Sequence, residues 1–131
     1  MDHTFEMRLA VDDATGAHTA RRAATTAIAD WGVQAAVSED ACLVVNELVT
    51  NALVHGRSEA HLLLQHDEQC LRVEVADDNT RLPMVAPPDP QSLSGRGLLM
   101  IASLVKTWGV ERTASGKCVW AELETGDRRS H

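Results

Sequence analysis

Apolar and polar side chains alternate along the first stretch of the chain, with Phe5, Met7, Leu9 and Val11 on one side, and this period of two predicts a strand over His3–Val11. Asp12-Asp13-Ala14-Thr15-Gly16 breaks the alternation, and the alanine-rich run Ala17–Trp31 reads as a helix that Gly32 is placed to end. A second helix is predicted over Ser38–Gly56, with Ser38 as its cap and Glu39 and Asp40 in a first turn whose dipole favours acids. Leu62, Leu63 and Leu64 mark a strand over Ala60–Gln65, and alternating Leu71, Val73 and Val75 mark another over Cys70–Ala76. The four residues His66–Gln69 between them fit a hairpin. Asp77-Asp78-Asn79 ends the second of these strands. All four prolines, Pro83, Pro87, Pro88 and Pro90, fall in Thr80–Ser94, where no regular element survives; a loop this long in a compact domain is usually functional or mobile. Gly95-Arg96-Gly97 then opens a third helix over Leu98–Val105, and Trp108–Glu111 and Cys118–Leu123 form a last hairpin across Ala114-Ser115-Gly116.

The order strand, helix, helix, strand, strand, loop, helix, strand, strand predicts an α+β two-layer sandwich, with a mixed, mostly antiparallel sheet and helices packed on one face. Strict strand–helix–strand alternation is absent, which argues against a Rossmann domain. Residues 1–126 are expected to form a single domain and 127–131 a flexible tail.

Composition narrows the function classes. A net charge of −7 argues against direct nucleic-acid binding, since the only dense basic spots are Arg21-Arg22 and Arg128-Arg129. The polar start of the chain and the lack of a long apolar run point to a cytoplasmic protein without a membrane segment. Cys42, Cys70 and Cys118 are odd in number and widely spaced, which suits buried free thiols better than disulfides or a zinc site. His55, His61 and His66 are too loosely spaced for a local metal motif.

Three segments carry candidate chemistry. Glu47 and Asn51 lie four residues apart on the second helix, about 6 Å along its axis and on one face. A carboxylate able to orient a nucleophile beside an amide oxygen able to ligate Mg²⁺ would justify two polar groups among Val44, Val45, Leu48, Val49, Leu53 and Val54. Both could instead face solvent on an amphipathic helix. Asp77 at a strand end could accept a hydrogen bond from the exocyclic amine of adenine, or be an ordinary turn acid. Gly95 and Gly97 could bring backbone N–H groups to an anion at a helix start, with Arg96 adding a charged fork. Alternatively they are a glycine-containing first turn with a solvated arginine.

Taken together and in order, these segments resemble the small ATP-binding anti-sigma-factor serine/threonine kinases (the RsbW/SpoIIAB type) of the gyrase, heat-shock chaperone, histidine-kinase and MutL superfamily, in its actinobacterial branch. Leu43–Gly56, "LVVNELVTNALVHG", resembles the N-box; Val73–Pro83, "VEVADDNTRLP", the first glycine box; Ser94–Ile101, "SGRGLLMI", the second; and Trp108–Leu123, ending "GKCVWAEL", the closing hairpin. The resemblance runs from about Phe5 to Leu123. It implies a Bergerat-type ATP-binding fold and Mg²⁺ and ATP as cofactors. Glu47 would be the general base, Asn51 the Mg²⁺ ligand and Asp77 the adenine acceptor, with Gly95 and Gly97 at the lid and His55 packing or capping at the helix end. It also implies a sigma factor or an antagonist of the STAS type as partner, and a homodimer.

Two departures bear on nucleotide affinity. Asp78-Asn79 follows Asp77 where the superfamily has Asp-x-Gly, so Asn79 would have to adopt the positive φ that glycine supplies. Gly116 is followed by Lys117 and Cys118 where many members carry a threonine on the strand beneath adenine. The expected function is therefore a kinase that phosphorylates an anti-sigma-factor antagonist and regulates transcription by partner switching. The alternative is a regulatory module that sequesters a protein, with or without ATP, and lacks phosphotransfer. ATP hydrolysis coupled to movement is a weaker third reading, because no transducer domain is seen.

Overall fold

The computed structural model describes residues 2–55, 58–79 and 93–125, without the side chains of 55 and 93–98. The proline-rich segment 80–92, Gly56 as a helix end, the 127–131 tail and the side-chain roles of His55 and Arg96 therefore lie outside the described residues.

Five strands form one sheet in the order β1-β2-β3-β5-β4, from β1 (His3–Ala10), β2 (Glu59–His66), β3 (Cys70–Asp77), β4 (Thr107–Arg112) and β5 (Lys117–Glu124). Every pairing is antiparallel. Among the described residues three helices, α1 (Ala14–Asp30), α2 (Ala35–His55) and α3 (Leu93–Leu104), complete the α+β sandwich, with α2 packed across β3, β5 and β2 and flanked by α1 and α3.

Asp13 caps α1: its carboxylate accepts the Gly16 N–H at 2.9 Å, which draws the helix back to Ala14, ahead of the expected Ala17. Gly32 closes the far end at φ 76, a left-handed conformation that a Cβ would penalise. Ala17, Ala20, Ala24 and Ile28 form the buried stripe of α1, and the small alanines let its backbone approach α2 closely.

The start of α2 corrects the expectation at Ser38. The Ser38 N–H already donates to the Gln34 carbonyl at 2.8 Å, a full α-helical bond, so Ser38 is inside the helix and no acid occupies its first turn. The apolar stripe Ala41, Val44, Val45, Leu48, Val49 and Ala52 fixes this helix by burial against the sheet, and that outweighs the local preference of serine for a cap. The third helix begins at Leu93, so Gly95-Arg96-Gly97 sits within its first turns rather than ahead of it.

The register sorts the sheet into rows. Phe5, Leu64, Val73, Ala121 and Trp108 align, as do Met7, Leu62, Val75, Val119 and Val110, and all pack toward the helices. A third row on the same face runs Leu9, Ala60, Asp77, Lys117, Arg112: apolar at β1 and charged from β3 onward. The opposite face is polar. There Glu6 meets His61 at 3.2 Å, and Arg72 bonds Glu74 at 2.6 Å and Glu122 at 2.7 Å. The Arg72 guanidinium also lies 4.4 Å from the centre of the Trp120 ring.

All three cysteines are free, but only Cys118 is buried; Cys42 and Cys70 are partly accessible. Burial, with Glu74 beside it, pushes the Cys118 thiol up to about 12, which makes it an inert packing group.

Candidate functional site

The site is built where the C-terminal half of α2 crosses the end of β3. Asn51 falls on the sheet-facing stripe of α2 with Val44 and Leu48 and is only 8% exposed, so the solvent-facing reading does not hold for it. Its amide nitrogen is sealed from solvent and has no hydrogen-bond partner among the described residues. An unmet buried donor costs about 1–3 kcal/mol, and a side chain whose other end engages a ligand is one reason to retain it. One turn earlier, Glu47 is partly buried, and among the described residues nothing bonds its carboxylate.

Asp77 continues the inward alternation of Leu71, Val73 and Val75, and therefore points its carboxylate into the layer between sheet and helices. It is 8% exposed, too buried for an ordinary turn acid. Directly across the ladder is Lys117, 3% exposed, whose Nζ lies 3.0 Å from Oδ1 and 2.9 Å from Oδ2 of Asp77. The Asn79 backbone N–H donates to Oδ1 at 2.9 Å. An ionised carboxylate offers about four lone-pair directions, so these contacts leave it able to accept another bond.

The neighbouring residues hold this strand end rigidly. Asp78 accepts from the Ser58 N–H at 3.0 Å, the Glu59 N–H at 3.3 Å and the Ser58 hydroxyl, tying the end of β3 to the start of β2. A Cβ at Gly116 would fall 1.9 Å from the Asp77 carbonyl oxygen, so only glycine lets the β4–β5 turn close against Asp77-Asp78. Asn79 does not take the positive φ expected of it: among the described residues no non-glycine does. Asn79 serves through its ordinary backbone N–H instead.

Asp77 and Lys117 are thus in contact, and Asn51 shares their layer because α2 packs on β3 and β5. Glu47 stands a turn away on the same helix. The backbone of Gly95 and Gly97 lies in α3, which packs against α2. Lys117 is the buried partner of Asp77 that reading the sequence did not assign to the site. Its signal was visible only as an unexplained lysine after Gly116; what it faces depends on pairing two strands forty residues apart.

These residues fit a nucleotide with its metal: a buried acceptor with spare capacity suits an exocyclic amine, and a carboxamide oxygen for which no bond is seen among the described residues suits a hard cation. Among the described residues no cluster of three His, Cys, Asp or Glu could hold a metal by itself, so the cation would need phosphate oxygens as further ligands. No helix among the described residues is long and apolar enough to cross a membrane.

Comparison with known proteins bears on the fold and the family. The chain matches in fold the crystal structure of the RsbU and RsbW domains of Rv1364c from Mycobacterium tuberculosis, with a TM-score of 0.63 at 20% identity. The match covers 95% of this chain but 32% of that one. No curated protein matches the sequence. The model of the histidine kinase-like ATPase domain matches residues 9–123, and the chain belongs to that family.

Proposed function

We propose that this domain binds Mg·ATP and acts as an anti-sigma-factor serine/threonine kinase, transferring the γ-phosphoryl group to a hydroxyl on a small STAS-type antagonist. The buried Asn51, with an amide end unmet among the described residues, and Glu47 one turn before it, whose carboxylate none of those residues bonds, make the observation that supports the reading most. The RsbW part of the structural neighbour supports the partner assignment.

When bound, Mg·ATP supplies the phosphoryl group and neutralises charge on it, which is most of what such a transfer needs. Asn51 would hold the cation through its carboxamide oxygen. Asp77 would accept from the exocyclic amine of the base. The first turns of α3, with Gly95 and Gly97, would lie against the phosphates, where a helix start leaves its leading N–H groups unpaired, and Arg96 would add a charged fork. Glu47 aligns the incoming hydroxyl and receives its proton on a carboxylate oxygen. The sigma factor is sequestered by protein contact, in a homodimer, and the acidic chain needs no contact with DNA.

Glu47→Ala is expected to keep ATP affinity by calorimetry and to abolish transfer of labelled phosphate to the antagonist. Full transfer by this variant would remove Glu47 from the chemistry. A second reading, a sequestering module without phosphotransfer, is favoured by Asn79 in place of the glycine of the first glycine box. Nucleotide binding without transfer to any hydroxyl would select it.

A further inference from the structure

We infer that Lys117 is a base-reading residue, donating to the ring N1 of adenine while the Asp77 carboxylate beside it accepts from the exocyclic amine. This rests on the nucleotide-binding reading above and adds a residue to it.

Three observations carry the inference. Lys117 is almost wholly buried, an expensive position for an ammonium, and among the described residues Asp77 is its one partner. Its two contacts go to the two oxygens of one carboxylate, leaving a third N–H of the ammonium uncommitted. Its position is fixed by the scaffold: direct cross-strand pairing with Asp77, and the glycine-only approach of Gly116 to the Asp77 backbone. The carboxylate and the ammonium thus present an acceptor and a donor side by side at 2.9–3.0 Å. Adenine presents the complement on neighbouring atoms of one edge, an amine donor and a ring-nitrogen acceptor. The pair recognises that edge by direct contacts, and a buried donor left unmatched by the wrong base penalises it.

The test is calorimetric titration of the full chain with Mg²⁺ and three nucleotides: ATP, 1-deaza-ATP, in which N1 is replaced by C–H, and purine riboside triphosphate, which lacks the amine. Loss of a hydrogen bond to a charged group should weaken each analogue about tenfold or more relative to ATP. In Lys117→Met, ATP should weaken by a similar factor, and 1-deaza-ATP should then bind as well as ATP. Equal affinity of the wild-type chain for ATP and 1-deaza-ATP overturns the inference while leaving nucleotide binding intact. So does a folded Lys117→Met chain that still discriminates between them. Should that variant fail to fold, the wild-type comparison decides alone, because it alters only the ligand. If no adenine nucleotide binds, the functional reading itself falls, and this inference with it.

Discussion

The β3–β5 ladder carries two ionic arrangements that differ in every physical respect except their strands. At one end and on the helix-facing side, Lys117 and Asp77 are sealed in the sandwich. Toward the other end, on the outer face, Arg72 bridges Glu74 and Glu122 and lies against Trp120, each member a quarter to a third exposed. Burial alone would lower the Arg72 pKa, yet the two carboxylates beside it raise it, so the outer network is favourable where it stands. The inner pair meets a desolvation cost that Coulomb attraction between the partners only roughly repays. Two hydrophobic side chains would stabilise that position at least as well. This ion pair stands in a core row, in the layer that also holds the buried Asn51 carboxamide, and the proposed function would account for stability given up there. The outer network is an ordinary way to keep an uncovered sheet face soluble and twisted.

Breaking the inner pair should have the largest effect. Lys117→Met strands a buried carboxylate and should destabilise by about 3–5 kcal/mol in urea unfolding, with most of the loss recovered in the Asp77→Asn/Lys117→Met double variant. A double variant no more stable than the single would mean that the lysine acts through its packed stem, not its charge. Gly116→Ala should cost about 1–3 kcal/mol, because the new Cβ meets backbone at Asp77 and not a flexible side chain, and the strand end must shift. The same variant should weaken ATP binding, since the shift moves both members of the pair. Arg72→Ala should cost only about 1 kcal/mol, and that cost should shrink in high salt, whereas the Lys117 effect should not.

Acid sharpens the contrast from a third place. His66 stacks with His3 and Trp31 at ring-centre distances of 5.8 and 5.9 Å. Burial, then the nearby His3, lowers its pKa, while Asp67 and Asp2 oppose the shift. A base with a folded-state pKa below its ordinary 6.5 prefers to fold neutral. Its contribution is complete above pH 6.5 and is lost as the pH falls through the lower folded value. Unfolding followed from pH 7.5 to 5 should show this modest decline, and His66→Phe should flatten it. A slope unchanged in that variant would assign the decline to another group.

Much of the architecture was legible because it rests on local periodicity. Alternation in β1 and β3 and the leucine run of β2 located the strands within a residue or two and put Asp77 at a strand end, and the apolar stripe of α2 located the helix that bears Glu47 and Asn51. Helix starts were less legible. Ser38 was a sound local cap that the burial of Ala41 and Val44 overrode, and Asp13 capped α1 from within a segment that looked like a break.

The sequence by itself determined which residue types were available for nucleotide chemistry and at what spacing along each element, because helix and strand periods follow from the backbone. Only the tertiary structure decided that Asn51 is buried with one end unmet, that Asn79 keeps ordinary backbone geometry, and that Lys117 rather than water faces Asp77. The physical reason is that strand order and register come from burying whole faces against the helices, a balance summed over the entire core that no short window of sequence contains.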